Sequence, residues 1–243
     1  MTFDLAVGEY VKQLRRAGPR PPEHLVRHIL QGGPGAVAPL LALALDNDLL
    51  HEDVPDCYAP IHALRLLGEL RTTEIVAPLL RALPIDQEYP GEELPVLWAD
   101  EAAQMIGRQG AAAVEPLWAV IDDPEWDMAG RGMALAALTY ATSVAPELRD
   151  EVVSEVLKRL GQSDDERFTA HLIAALASLG AGSAYQQVMD LYRAHKVDTS
   201  IIPSATARQM LLAPGSTSRL QCAQHPLWER YDRHGPHPEE KEN

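Results

Sequence analysis

The side chains with the most recognisable ligand chemistry lie towards the end of the chain. Cys222-Ala223-Gln224-His225 and His234-Gly235-Pro236-His237 each place two donors across two intervening residues, the pair spacing of a zinc site. The segment between the pairs is short and the second pair sits in a Pro/Gly-rich tail, so no metal is expected there. A di-iron centre takes imidazole and carboxylate ligands together, and His51-Glu52 is the one His-Glu dipeptide available for it. His62 and His171 occupy equivalent positions of two separated segments and read as partly buried structural histidines. No phosphate-binding glycine loop occurs, and no Ser/His/Asp set stands out by spacing. The residues therefore name no catalytic group and no cofactor.

A second pattern is electrostatic. Four stretches, 46–56, 84–97, 122–128 and 161–166, hold 16 of the 35 acids and no Lys or Arg, so the negative charge is concentrated between helices. One reading is that these Asp and Glu residues cap helix N-termini and complement the helix dipole. The other is that they form an acidic ridge that attracts a basic partner or a divalent cation. Among the aromatics, Trp98 and Trp118 fall at apolar helical positions, whereas Trp126, between Glu125 and Asp127, is the one expected to be exposed.

These loops need a scaffold, and the chain repeats one. Val37-Ala38-Pro39-Leu40-Leu41 returns as Val76-Ala77-Pro78-Leu79-Leu80, as Val114-Glu115-Pro116-Leu117-Trp118, and shortened as Val144-Ala145-Pro146-Glu147-Leu148. The spacing of about 40 residues suits paired-helix repeats, and proline is tolerated only near a helix start, so each valine phrase is expected to open a second helix. The preceding helices also align: Ala63-Leu64-Arg65-Leu66-Leu67-Gly68 with Ala102-Ala103-Gln104-Met105-Ile106-Gly107, Ala134-Leu135-Ala136-Ala137-Leu138-Thr139 and Leu172-Ile173-Ala174-Ala175-Leu176-Ala177. Small residues at fixed positions allow neighbouring helices to approach closely. Ahead of them, a helix is expected from Thr2 to about Ala17, and Asp56 is expected to cap the helix that carries Leu64.

Over residues of roughly 22 to 195 this pattern resembles the HEAT-like helical-repeat family, in particular the short repeats first associated with phycobilisome lyases. The turns Arg71-Thr72-Thr73 and Gln109-Gly110-Ala111 lack the Asp that the family often places there. The resemblance implies an all-α, right-handed solenoid of about five helix pairs. Its second helices would line the concave side, exposing Ala42, Glu74, Ala77, Arg81, Glu115 and Ala119 in a shallow groove. The expected organisation is an N-terminal capping helix over 1–21, the solenoid over 22–200, a C-terminal capping segment over 201–232 and a disordered tail over 233–243.

Composition narrows the function. A formal charge of −14 with no basic stripe argues against a nucleic-acid partner. The longest apolar run, 36–45, falls well short of the ~20 residues of a membrane helix, and no signal segment opens the chain. Two distant cysteines fit a reducing cytoplasm, and 17 Arg against 4 Lys is a bias that GC-rich bacterial genomes produce. The expectation is a non-catalytic cytoplasmic scaffold or adaptor that binds a protein or peptide, a basic one included, through Glu74, Arg81 and Glu115 on the second helices or Glu92, Glu93, Asp122, Asp123 and Trp126 on the acidic edge. A bilin lyase-like or other enzyme using the same groove is the alternative.

Overall fold

The computed structural model describes residues 2–84, 93–213 and 216–236. They form thirteen α-helices joined by 3-10 turns, and no strand occurs among the described residues. The chain divides into two compact units: residues 1–106 with 225–243, and residues 107–224.

In the first unit, α1 (Thr2–Lys12) packs on α2 (Glu23–Gln31) and α3 (Val37–Ala44), and α3 packs on α4 (Ala59–Leu70). The short α5 (Val76–Arg81) and most of α6 (Glu93–Gly107) follow. Leu14, Ile29, Leu40, Ile61, Leu64, Leu67, Ile75, Leu79 and Trp98 are fully buried, and each large apolar side chain removed from water contributes about 2 kcal/mol. Trp98 satisfies its indole N–H by donating to the Ala44 carbonyl at 2.8 Å, so its burial leaves no polar atom stranded. The initial helix is shorter than its periodicity predicts, giving way at Gln13 to a 3-10 turn. Asp56 caps no helix: its carboxylate instead accepts a 2.5 Å bond from Arg15, and α4 starts three residues later.

In the second unit, α8 (Met128–Val144) packs against α7 (Ala111–Asp122), α9 (Arg149–Leu160) and α10 (Glu166–Ser178), while α10 also meets α9 and α12 (Ser204–Leu212). α11 (Tyr185–Arg193) packs on α12, and the 3-10 segment Ser216–Gln224 lies on α8 and α10. Asp127 and Asp165 cap α8 and α10, accepting backbone N–H bonds from Gly130 at 2.6 Å and Phe168 at 2.7 Å. Two loop acids thus serve the helix starts.

The valine phrase is placed differently from its sequence expectation. Val37 and Val76 open α-helices, but each follows a 3-10 turn, Gly33–Ala36 or Thr73–Ile75, so the helical run begins earlier. Val114 lies inside α7, and Val144 ends α8 before a 3-10 turn at Pro146–Leu148. In the first three copies the proline sits six or seven residues into a continuous helical run, deeper than its missing N–H would suggest. A proline loses one bond to the carbonyl four residues back, and burial of the neighbouring leucines, Leu40, Leu79 and Leu117, offsets that loss.

The last residue of α6 shows why small residues recur at fixed places. A Cβ on Gly107 would stand 2.4 Å from Tyr140 Cβ and 2.9 Å from the Ala137 carbonyl oxygen. We expect Gly107→Ala to destabilise the C-terminal unit by about 1–3 kcal/mol through overpacking, measured by chemical denaturation; unchanged stability would show that α8 yields freely.

Candidate functional site

Residues 201–232, read from sequence as one cap, divide between the units. α12 and the 216–224 segment stay with the C-terminal unit, while α13 (Leu227–His234) belongs with the N-terminal one and packs on α4. Arg233 and His234, expected to begin a disordered tail, complete α13, and Gly235 and Pro236 are buried; 237–243 lie outside the described residues. α13 turns one stripe inward because Leu227, Arg230, Tyr231 and His234 recur at helical spacing.

That stripe meets a buried polar cluster. Arg65 of α4 and Arg230 of α13 are fully buried and converge on one carboxylate, Glu101 of α6. Arg65 Nε and Nη2 donate to Glu101 Oε1 at 3.0 and 2.6 Å, and its remaining donors reach the His234 and Gly235 carbonyls. Arg230 Nη1 and Nη2 donate to Gln104 Oε1 at 2.7 and 2.8 Å, and Nη1 lies 3.5 Å from Glu101 Oε2. The Tyr231 ring lies under Arg65, 4.5 Å from ring centroid to guanidinium carbon, which adds a cation–π contact. On the rim, Arg20 bonds Asp232 and covers the Trp228 ring at 5.0 Å.

His62 fixes its own tautomer. Nε2 lies 2.9 Å from the Gly18 carbonyl, which can only accept, so Nε2 carries the proton and Nδ1 accepts from the Tyr231 hydroxyl at 2.9 Å. Burial pushes the His62 pKa down to about 4, against the Gly18 carbonyl and with help from Arg65. Burial also raises Tyr231 above the usual phenol range. Nδ1 of His225 lies 3.2 Å from Nε2 of His234, with the rings nearly parallel. Burial lowers His234; Glu101 opposes the shift, while Arg230 and His225 reinforce it. Among the described residues no set of three or more His, Cys, Asp or Glu side chains is placed to hold a metal. His237 lies outside the described residues, and Cys222 is counted with the C-terminal unit.

Beside the cluster runs a groove of about 510 Å³ between α2, the end of α4 and α13. Val26, Leu30, Leu227 and Trp228 supply its apolar lining, and Glu23, Arg27 and Glu69 its charges. No pattern of repeats points to it, because one wall comes from a segment some 200 residues further along the chain. A different signal was available: Arg65 and Glu101 each stand next to apolar or small residues, Leu64 and Leu66 or Ala102 and Ala103, and a charge on such a face requires a partner.

The residues expected from sequence are dispersed. Ala42, Glu74, Ala77, Arg81, Glu115 and Ala119 are all exposed. Glu93 is exposed at the start of α6, and Glu92 lies outside the described residues. Asp122 is engaged by Arg159, whose Nε and Nη2 donate to its two oxygens at 2.7 and 2.6 Å while the guanidinium covers Trp118 at 3.9 Å. Asp123 accepts the Glu125 N–H at 2.9 Å in a local turn. Trp126 is half-buried, and so is Trp118. His171 is half-buried against Gly132, where a Cβ would come within 2.4 Å of the imidazole.

Compared with protein-family models, curated proteins and solved structures, the chain matches none.

Two stability changes follow from the cluster. Glu101→Ala leaves two buried guanidiniums without their carboxylate and should cost about 3–5 kcal/mol in denaturant unfolding. For His62 the fold holds the neutral form, so its contribution is complete above the unfolded pKa near 6.5 and fades as pH falls towards 4. We expect up to about 3 kcal/mol of stability to be lost across that window and most of that slope to vanish in His62→Gln; equal slopes in the two proteins would refute the assignment.

Proposed function

We propose that the chain is a non-catalytic helical-repeat scaffold of the HEAT-like α-solenoid kind, and that it binds a peptide or protein segment in the groove between α2 and α13. The observation that carries this reading is the groove itself: apolar side chains from two elements, a partly exposed Trp228, and charged residues at the margin. Trp combines a large apolar surface with one N–H donor and is enriched where partners anchor. A groove of this size accommodates a few apolar side chains of a peptide.

The repeat reading draws support from the C-terminal unit, where α8 and α10, both aligned first helices, pack on each other and α7 and α9 flank them. Chemistry argues for binding rather than catalysis: Arg65, Glu101, Arg230 and His62 are buried and bonded within the cluster. The acidic edge is the weaker docking surface, because Asp122 is paired with Arg159 and Asp127 and Asp165 cap helices. The net charge of −14 disfavours nucleic acid, and no helix among the described residues is long and apolar enough to cross a membrane. A cytoplasmic adaptor accords with these properties.

Affinity capture from the native host with quantitative mass spectrometry tests the reading. A specific partner held by the wild-type chain should drop at least tenfold with Trp228→Ala and persist when Glu93, Asp122 and Asp123 are reversed in charge. Loss in the charge-reversed chain alone would move the interface to the acidic edge.

A further inference from the structure

Leu227 and Trp228 form one wall of the groove, and both stand on α13. The groove exists only while α13 is seated. Much of the seat is made of hydrogen-bonded polar groups: Arg65, Glu101, Gln104 and His62 beneath, Arg230 and Tyr231 above. A buried ion-pair network of this type returns little net free energy once desolvation is counted, although it fixes one geometry closely. The segment is thus held in one geometry, and two of the groups at its seat, His62 and His234, are histidines.

We propose that α13 is an acid-released latch: protonation of the histidines at its seat undocks it from α4 and α6 and dismantles the groove wall. The inference rests on the groove being the binding site only for its functional consequence. The groups facing the two histidines define the response. His62 meets the Gly18 carbonyl, the Tyr231 hydroxyl from α13, the Tyr58 ring and Arg65 on its own helix. A proton at Nδ1 finds the Tyr231 hydroxyl already donating to it and a guanidinium nearby. His234 meets His225, Arg230, Arg65 and Glu101. A proton on His234 Nε2 leaves that nitrogen unable to accept from His225 Nδ1, and of the charged neighbours only Glu101, already shared by two arginines, favours the charge. Lifting α13 removes Tyr231 from His62 and opens the imidazole to water, which restores its ordinary basicity. For His62 alone, docking weakens about 20-fold between pH 7 and pH 5.

The emission of Trp228, isolated as the difference between the full chain and its Trp228→Phe variant, reports the latch without any partner. Acrylamide quenching of that difference signal should rise as pH falls from 7 to 4.5 while far-UV circular dichroism retains most of its helix signal, and His62→Gln and His234→Gln should each blunt the rise. Quenching that stays flat, or an equal rise in both variants, overturns the latch. So does loss of all helix signal at the same pH, which would mean global acid unfolding. A flat response with partner binding intact would sink the latch and spare the binding site, whereas a proton-sensitive Trp228 with no partner lost on Trp228→Ala would do the reverse.

Discussion

Two guanidiniums share one carboxylate beneath α13, and the N-terminal unit takes its final form around that arrangement. Hydrophobic burial alone would let a short amphipathic helix settle in several registers on α4. The Arg65–Glu101–Arg230–Gln104 network admits one, because each donor must find its acceptor or stand desolvated at a cost of several kcal/mol. Tyr231 and His62 add a second directional constraint, with the tautomer dictated by the Gly18 carbonyl. The position of Trp228, and so the shape of the groove, follows from contacts that Trp228 does not itself make.

The C-terminal unit solves the same positioning problem with apolar surface and close backbone approach. Gly107 against Tyr140 and Gly132 against His171 bring helices together where even a methyl group has no room. Its polar bonds include helix caps at Asp127 and Asp165, and the Arg159 guanidinium laid over Trp118 between Asp122 and Glu155.

Much of the helical plan was readable because it depends on local periodicity. The alternation of small and branched residues in 63–68, 102–107, 134–139 and 172–177 marks helices whose faces are largely buried. The boundaries were less legible. Asp56 looked like a cap, but a cation 41 residues away claimed its carboxylate; the proline phrase looked like a helix start, but the helical run begins before it. Each miss has one cause, a tertiary partner or a tighter turn that outweighs local preference. The candidate site was almost illegible for the same reason. Its members come from positions 23–31, 62–69, 101–104 and 225–235, and nothing in the order of residues says that 225–235 returns to the first hundred. The charges of Arg65 and Glu101 beside apolar neighbours were the clue, and they announced a partner without naming it.

The discontinuity of the N-terminal unit also has a consequence for biosynthesis. Domains generally fold in the order in which they leave the ribosome. Here residues 1–106 emerge first but wait for 225–236, with Tyr231 meeting His62 across 169 residues. The entire C-terminal unit is made in the interval and can fold before its predecessor is closed. A chain interrupted between Gln224 and Leu227 would carry a second unit of full length and an open first one, with Arg65 and Glu101 bared along a half-built surface. α13 thereby closes the first unit only after the whole of the second has been made.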